Sequence, residues 1–120
     1  MRVAISSQGD DLDSGVDPRF GRASRFLLVD TKTMSFEVIE NTQSLHLPQG
    51  AGIQAAQTII SHNPDAVLTG NCGPKAFKVL QAAGVEVVTG VKGKIMDVIQ
   101  AYLEGRYQPA KVPNVDGHWV

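Results

Sequence analysis

Apolar and polar positions follow two regimes along the chain. Before residue 41 the apolar runs are short: Val3 to Ser6, then Arg25 to Asp30, then Met34 to Glu40. The third alternates apolar and polar residues, the period of a strand with one buried face. Only Thr31-Lys32-Thr33 separates the second run from the third, which predicts a hairpin of strands 2 and 3. From Gly50 to His62 the period lengthens, and Ile53, Ala56, Ile59 and Ile60 share one helical face before Asn63-Pro64 stops the helix. Strands and helices then alternate. Ala66 to Leu68 predicts strand 4, Pro74 to Ala83 helix 2, Val85 to Val88 strand 5, and Gly93 to Glu104 helix 3. Helix 2 has proline in its first turn and Gly84 just past its end. Helix 3 places Ile95, Val98, Ile99 and Tyr102 on one stripe and stops at Gly105.

Three strands followed by strand-helix alternation imply two antiparallel connections and then right-handed crossovers. The simplest solution is an α/β fold with a mixed five-stranded sheet of order 3-2-1-4-5 and strand 2 antiparallel. That is the three-layer, ribonuclease H-like layout. With 120 residues, 42% of them hydrophobic, the chain suits a single domain with its own core. Residues 105–120 contain two prolines and little periodicity, so an irregular tail is expected.

Charge and composition narrow the function. A formal net charge of -1, with cations and anions nearly balanced, gives no general field for nucleic acid or an anionic membrane. One cysteine excludes an intramolecular disulfide, and no apolar stretch approaches membrane-spanning length. A cytoplasmic protein that binds neither nucleic acid nor membrane is expected.

In this topology strands 1, 3, 4 and 5 point one way, so their following loops gather at one edge, the usual ligand edge of open α/β sheets. Strand 4 leads into Thr69-Gly70-Asn71-Cys72-Gly73 and strand 5 into Thr89-Gly90-Val91-Lys92-Gly93, the same T-G-x-x-G step into a helix. With Gly50-Ala51-Gly52, three helices have glycine-rich starts there. Free N–H groups of a first helical turn favour an anion, and glycine lets the backbone come close to it. Such turns also occur simply as tight connections. Their convergence raises the functional reading.

The candidate side chains are few. A two-metal nuclease needs clustered carboxylates on central strands, and strands 1 and 4 carry none centrally. Asp10, Asp11, Asp13 and Asp17 crowd the first loop without calcium-loop spacing, so a solvated loop or one tied to Arg19 and Arg22 is expected. Cys72 stands near a helix start with Lys75 close by, which favours a thiolate, ligand or nucleophile. It can equally pack as a small apolar residue. His46 lies in a loop on the same edge, His118 in the tail, and His62 at a helix C-terminus on the opposite edge. One thiolate with one or two histidines cannot make a four-cysteine iron-sulfur site.

DPRFGRASRFLLVD, then QGAGIQAAQTIISHNPDAVLTGNCGPKAFKVLQAAGVEVV, then the GHW tail resemble the dinitrogenase iron-molybdenum cofactor biosynthesis family over nearly the whole chain. The resemblance implies a ribonuclease H-like fold and, as cargo, an anionic iron-sulfur or molybdenum-containing cluster, exchanged with metal-cluster donor or acceptor proteins. Carrier-type members often have histidine beside the first Phe-Gly and before the glycine at position 50, where this chain has Arg19, Arg22 and Gln49. The expected cradle is therefore Arg19, Gly21, Arg22, Gly50, Gly52, Gly70, Asn71, Gly73 and Lys75, with Cys72, His46 and His118 as metal ligands. Arginine would hold an anion through charge-assisted hydrogen bonds. No catalysis is expected; a simpler anion binder with a regulatory role and an enzyme with Cys72 as nucleophile are the alternatives. Monomer and homodimer both stand open.

Overall fold

The computed structural model describes residues 1–42, 47 and 49–115. Strands β1 (Arg2–Ser7), β2 (Arg25–Asp30), β3 (Phe36–Glu40), β4 (Ala66–Leu68) and β5 (Glu86–Val88) form one sheet in the order β3-β2-β1-β4-β5. β2 is antiparallel to β1 and β3, while β4 is parallel to β1 and β5. The expected order and the reversed second strand are both present. Helices α1 (Ala51–Ile60), α2 (Pro74–Ala82) and α3 (Ile95–Leu103) cover the sheet.

Side-chain alternation divides the core in two. Ala4, Phe26, Leu28, Ile39, Val67 and Val87 pack with Ala55, Ala56 and Ile59 of α1 and with Ala76, Phe77 and Leu80 of α2. Their sequence neighbours Val3, Ile5, Leu27, Val29, Leu68 and Val88 pack with Ile95, Val98 and Ile99 of α3. Strands β1, β2 and β4 are apolar on both faces because helices cover both.

Two elements differ from expectation. In α1 the buried residues are Ala51, Gly52, Ala55, Ala56 and Ile59, whereas Ile53 and Ile60 are only half-buried. Small residues facing inward let α1 approach the sheet and α2 closely, which a stripe of isoleucines would prevent. β3 starts at Phe36, not Met34, because Met34 takes a left-handed φ of 61°. Its N–H donates to the Asp30 carbonyl at 2.7 Å, and the Asp30 N–H donates to Ser35 O at 2.9 Å, closing the hairpin.

The strand directions bring the ends of β1, β3, β4 and β5 to one edge. Residues 106–115 contain neither helix nor strand, as expected, but they are anchored. The Ala110 N–H donates to Val87 O at 2.7 Å on edge strand β5, and Ala110 packs partly against the core.

Candidate functional site

The ligand edge is built on a pair of hydroxyls. Ser6 donates to the Asp17 carbonyl at 2.7 Å, which leaves its oxygen to accept from Thr69 at 2.8 Å. Both residues are fully buried. Hydroxyls thus stand at the ends of the central strands, where they tie the first loop to β4.

That loop folds back over the edge. The Asp17 N–H donates to Ser6 O at 2.8 Å, the Phe20 N–H to Asn71 O at 3.1 Å, and the Asn71 side-chain amide to Pro18 O at 2.9 Å. Arg19 and Asn71 form a parallel bridge, so the Asp-Pro-Arg-Phe-Gly segment runs beside the first T-G-x-x-G turn. Gly70 is explained by this approach: a Cβ there would lie 2.8 Å from both Cα and O of Pro18. The glycine admits the chain itself. Phe20 is buried with its ring 5.2 Å from that of Phe26. Buried Asn41, at the end of β3, fixes the rest of the loop by donating to the carbonyls of Gly21 at 3.3 Å and Ala23 at 2.8 Å.

The cations divide into exposed and engaged. Arg19 is exposed, and its guanidinium makes no hydrogen bond or ion pair among the described residues; its backbone N–H donates to Asp17 Oδ1 at 2.9 Å. Lys75 is exposed in the first turn of α2. Arg22 is half-buried, and its Nη1 donates to the Leu47 carbonyl at 2.7 Å, bracing the chain that leads into α1. Gly50, the residue before α1, has a left-handed φ of 82°, the conformation that favours glycine. Gly21, Gly52 and Gly73 are buried. Among the described residues the acidic loop meets Arg19 at Asp17 and otherwise pairs with cations not expected from sequence. Asp10 pairs with Arg25 at 2.5 Å, and Asp13 lies 4.0 Å from Lys94. Burial raises the Asp17 carboxyl above its ordinary pKa, partly offset by the N–H and charge of Arg19.

The helix starts are not equivalent. At α3 the N–H of Ile95 donates to Ser14 O at 2.9 Å and that of Met96 to Leu12 O at 3.0 Å. The acidic loop has taken these donors, so the expected convergence of three anion-binding helix starts loses one. At α2 the Cys72 N–H donates to Oδ1 of Asn114 at 2.8 Å, while Nδ2 of Asn114 donates to Gly70 O and Asn71 Oδ1, both at 3.1 Å.

Cys72 lies under that turn with no exposed surface, among Phe20, Ala76 and Phe77. Burial pushes its thiol up to about 12. The expected pull of the helix start and Lys75 toward a thiolate is outweighed by desolvation. His46 and His118 lie outside the described residues. His62 is at the C-terminus of α1 with Nδ1 3.0 Å from Thr58 O, away from the ligand edge. Among the described residues no group of three or more His, Cys, Asp and Glu is placed to hold a metal ion. The exposed cations beside the first T-G-x-x-G turn are Arg19 and Lys75.

Sequence reasoning missed Ser6, Thr69, Asn41 and Asn114. Hydroxyls at the ends of strands 1 and 4, adjacent in the sheet, were a readable signal. Asn114 offered no local signal, since its partners are more than forty residues earlier.

Comparison with known proteins agrees with this architecture. The apo form of the orange protein from Desulfovibrio gigas superposes with a TM-score of 0.93 at 43% identity, covering 95% of this chain and 96% of that one. The NMR structure of a Thermotoga protein placed in the DUF35 family gives 0.81 at 37% identity over 97% and 98% of the two chains. An uncharacterised protein of Methanocaldococcus jannaschii is 29% identical over 113 residues, 90% of each chain. The model of the dinitrogenase iron-molybdenum cofactor family matches residues 1–105. The chain belongs to the dinitrogenase iron-molybdenum cofactor family.

Proposed function

We propose that the protein is a non-catalytic carrier of an anionic metal-sulfur cluster or its precursor, of the iron-sulfur or iron-molybdenum type. The observation that carries this reading is the alignment of exposed Arg19 with the Gly70–Gly73 turn, with Lys75 one helical step further on. Family membership supplies the class of cargo. The similarity to a protein described in an apo form and named for its colour supports a chromophoric ligand. The cargo would be held mainly by charge-assisted hydrogen bonds, since the only thiol is buried and protonated. Donor and acceptor proteins of cluster assembly are the fitting partners, and the cytoplasm the fitting compartment. A ribonuclease H-like label suits the strand order, with Ser6 and Thr69 where a nuclease would need carboxylates.

Exposed Arg19 and Lys75 also suit a second reading, a simpler oxyanion or phosphate bound at the same turn. Anaerobic purification followed by a visible spectrum and iron, molybdenum, copper and sulfide analysis separates the two. The carrier reading expects metal and sulfide in stoichiometric amounts, retained in Cys72→Ser and reduced in Arg19→Ala. A colourless, metal-free protein before and after reconstitution, stabilised by phosphate instead, would establish the second reading.

A further inference from the structure

The side chain of Asn114 occupies the turn that the carrier reading assigns to the ligand. Its carbonyl takes the Cys72 N–H at 2.8 Å, two residues before α2 begins, and its amide covers the Gly70 carbonyl and Asn71 Oδ1, both at 3.1 Å. An asparagine amide can satisfy a donor and acceptors of one turn at once. An anion reaching the Cys72 N–H must take the place of Asn114 Oδ1.

The hold on this segment is local. Among the described residues, 111–115 form no hydrogen bond or ion pair except those of the Asn114 side chain. The preceding fixed point is the single bond from Ala110 to Val87. Val112 between them is 69% exposed. Asn114 is itself exposed, so water can replace its bonds when it leaves. Each such bond contributes only about 0.5–1.5 kcal/mol net. The start of α3 is different: its donors are covered by the backbone of residues 12–14, in a loop bonded to the sheet through Ser6, Ser7 and Gly93.

We propose that residues 106–115 are a displaceable strap, in which Asn114 closes the Gly70–Gly73 turn and is released when an anionic ligand takes the Cys72 N–H. This rests on the carrier reading for the identity of the ligand, but not for the closure. Closing the competent state lowers apparent affinity by the fraction of time the turn is open. Release also frees the Cys72 N–H, which gives the strap a readout that needs no ligand.

The test compares full-length wild type with Asn114→Ala. Tetrathiomolybdate, a coloured molybdenum-sulfur dianion, is titrated by absorption, and hydrogen exchange of the Cys72 amide is timed without ligand. The expected result is binding about tenfold tighter in Asn114→Ala, together with faster exchange of the Cys72 amide, the tenfold corresponding to about 1.4 kcal/mol. Equal affinities would overturn the strap while leaving the carrier reading intact. Weaker binding in the variant would overturn it too, by making Asn114 a ligand contact. Should neither protein bind the probe, the carrier reading fails, and exchange of the Cys72 amide alone decides the strap: faster in the variant supports closure, equal rates refute it.

Discussion

The two T-G-x-x-G turns begin from the same local pattern and end with different capacities. The second, Thr89 to Gly93, is the more basic, with Lys92 within it and Lys94 just after it. By sequence it is the better anion site. In the fold it is a structural joint: Gly90 N–H donates to Gly70 O at 2.8 Å, Gly93 O accepts from Val16 at 2.9 Å, and the helix beyond gives its first donors to Ser14 and Leu12. The first turn, Thr69 to Gly73, has its key donor covered by one exposed side chain from the tail. The turns differ in what covers their N–H donors: the backbone of a bonded loop at the start of α3, and the side chain of one exposed asparagine at Cys72, just before α2.

The largest expected difference between the turns comes from their first glycine. A Cβ on Gly70 would meet Pro18 backbone at 2.8 Å, while one on Gly90 would meet nothing within 4 Å. Gly70→Ala must therefore move the Asp17 to Phe20 segment and is expected to cost about 2–3 kcal/mol. Gly90 has φ 77°, so Gly90→Ala carries only the left-handed penalty, about 1 kcal/mol. Urea midpoints measured on both variants check the contrast; similar losses would mean that the loop yields easily at Pro18.

A second contrast sets Cys72 against Lys92, the residue at the same place in the other turn. Cys72 is buried and Lys92 exposed. The folded thiol pKa is raised from 9.0 to about 12, so the unfolded chain releases this proton first as pH rises. Stability from the neutral thiol is thus complete below about pH 9 and falls between about 9 and 12. A melting-temperature profile is expected to drop over that window, and to drop less in Cys72→Ala, which at neutral pH loses about 1 kcal/mol from the small cavity. Tyr102, pushed up to about 12 by burial and by Glu86, contributes to the same alkaline loss, so the variant flattens the profile without abolishing it. Alkylation that stayed fast down to pH 6 would contradict the buried, protonated thiol.

Most of the frame was legible because it depends on local periodicity. The alternation in β3, the stripe Ile95, Val98 and Ile99, and the prolines and glycines bounding the helices each report their own neighbourhood. Strand order followed from connection rules. The site was legible only in outline. That Arg19 would lie beside Asn71 followed from the loops sharing an edge, but that Arg22 would brace Leu47 did not. The burial of Cys72 in the core it shares with Phe20 and Phe77 is not encoded in local spacing. Asn114 is the extreme case, because its role consists entirely of partners distant in sequence.

The finest contrast is between the exposed lysines, because here the alternatives differ in binding alone. Lys75 and Lys92 are both exposed and neither forms an ion pair among the described residues, so exposure and pairing do not distinguish these two lysines. If the first turn is the site, Lys75→Ala and Arg19→Ala should each weaken tetrathiomolybdate binding about fivefold, the worth of one exposed charge at ~1 kcal/mol, and added salt should shrink the loss. Lys92→Ala should stay within about twofold, because the α3 donors that would share its anion already serve Ser14 and Leu12. An equal loss at Lys92 would mean that the anion senses the whole edge as a diffuse field. A loss confined to Lys75 and Arg19 would show that the ligand is held where the Asp-Pro-Arg-Phe-Gly segment meets the start of α2.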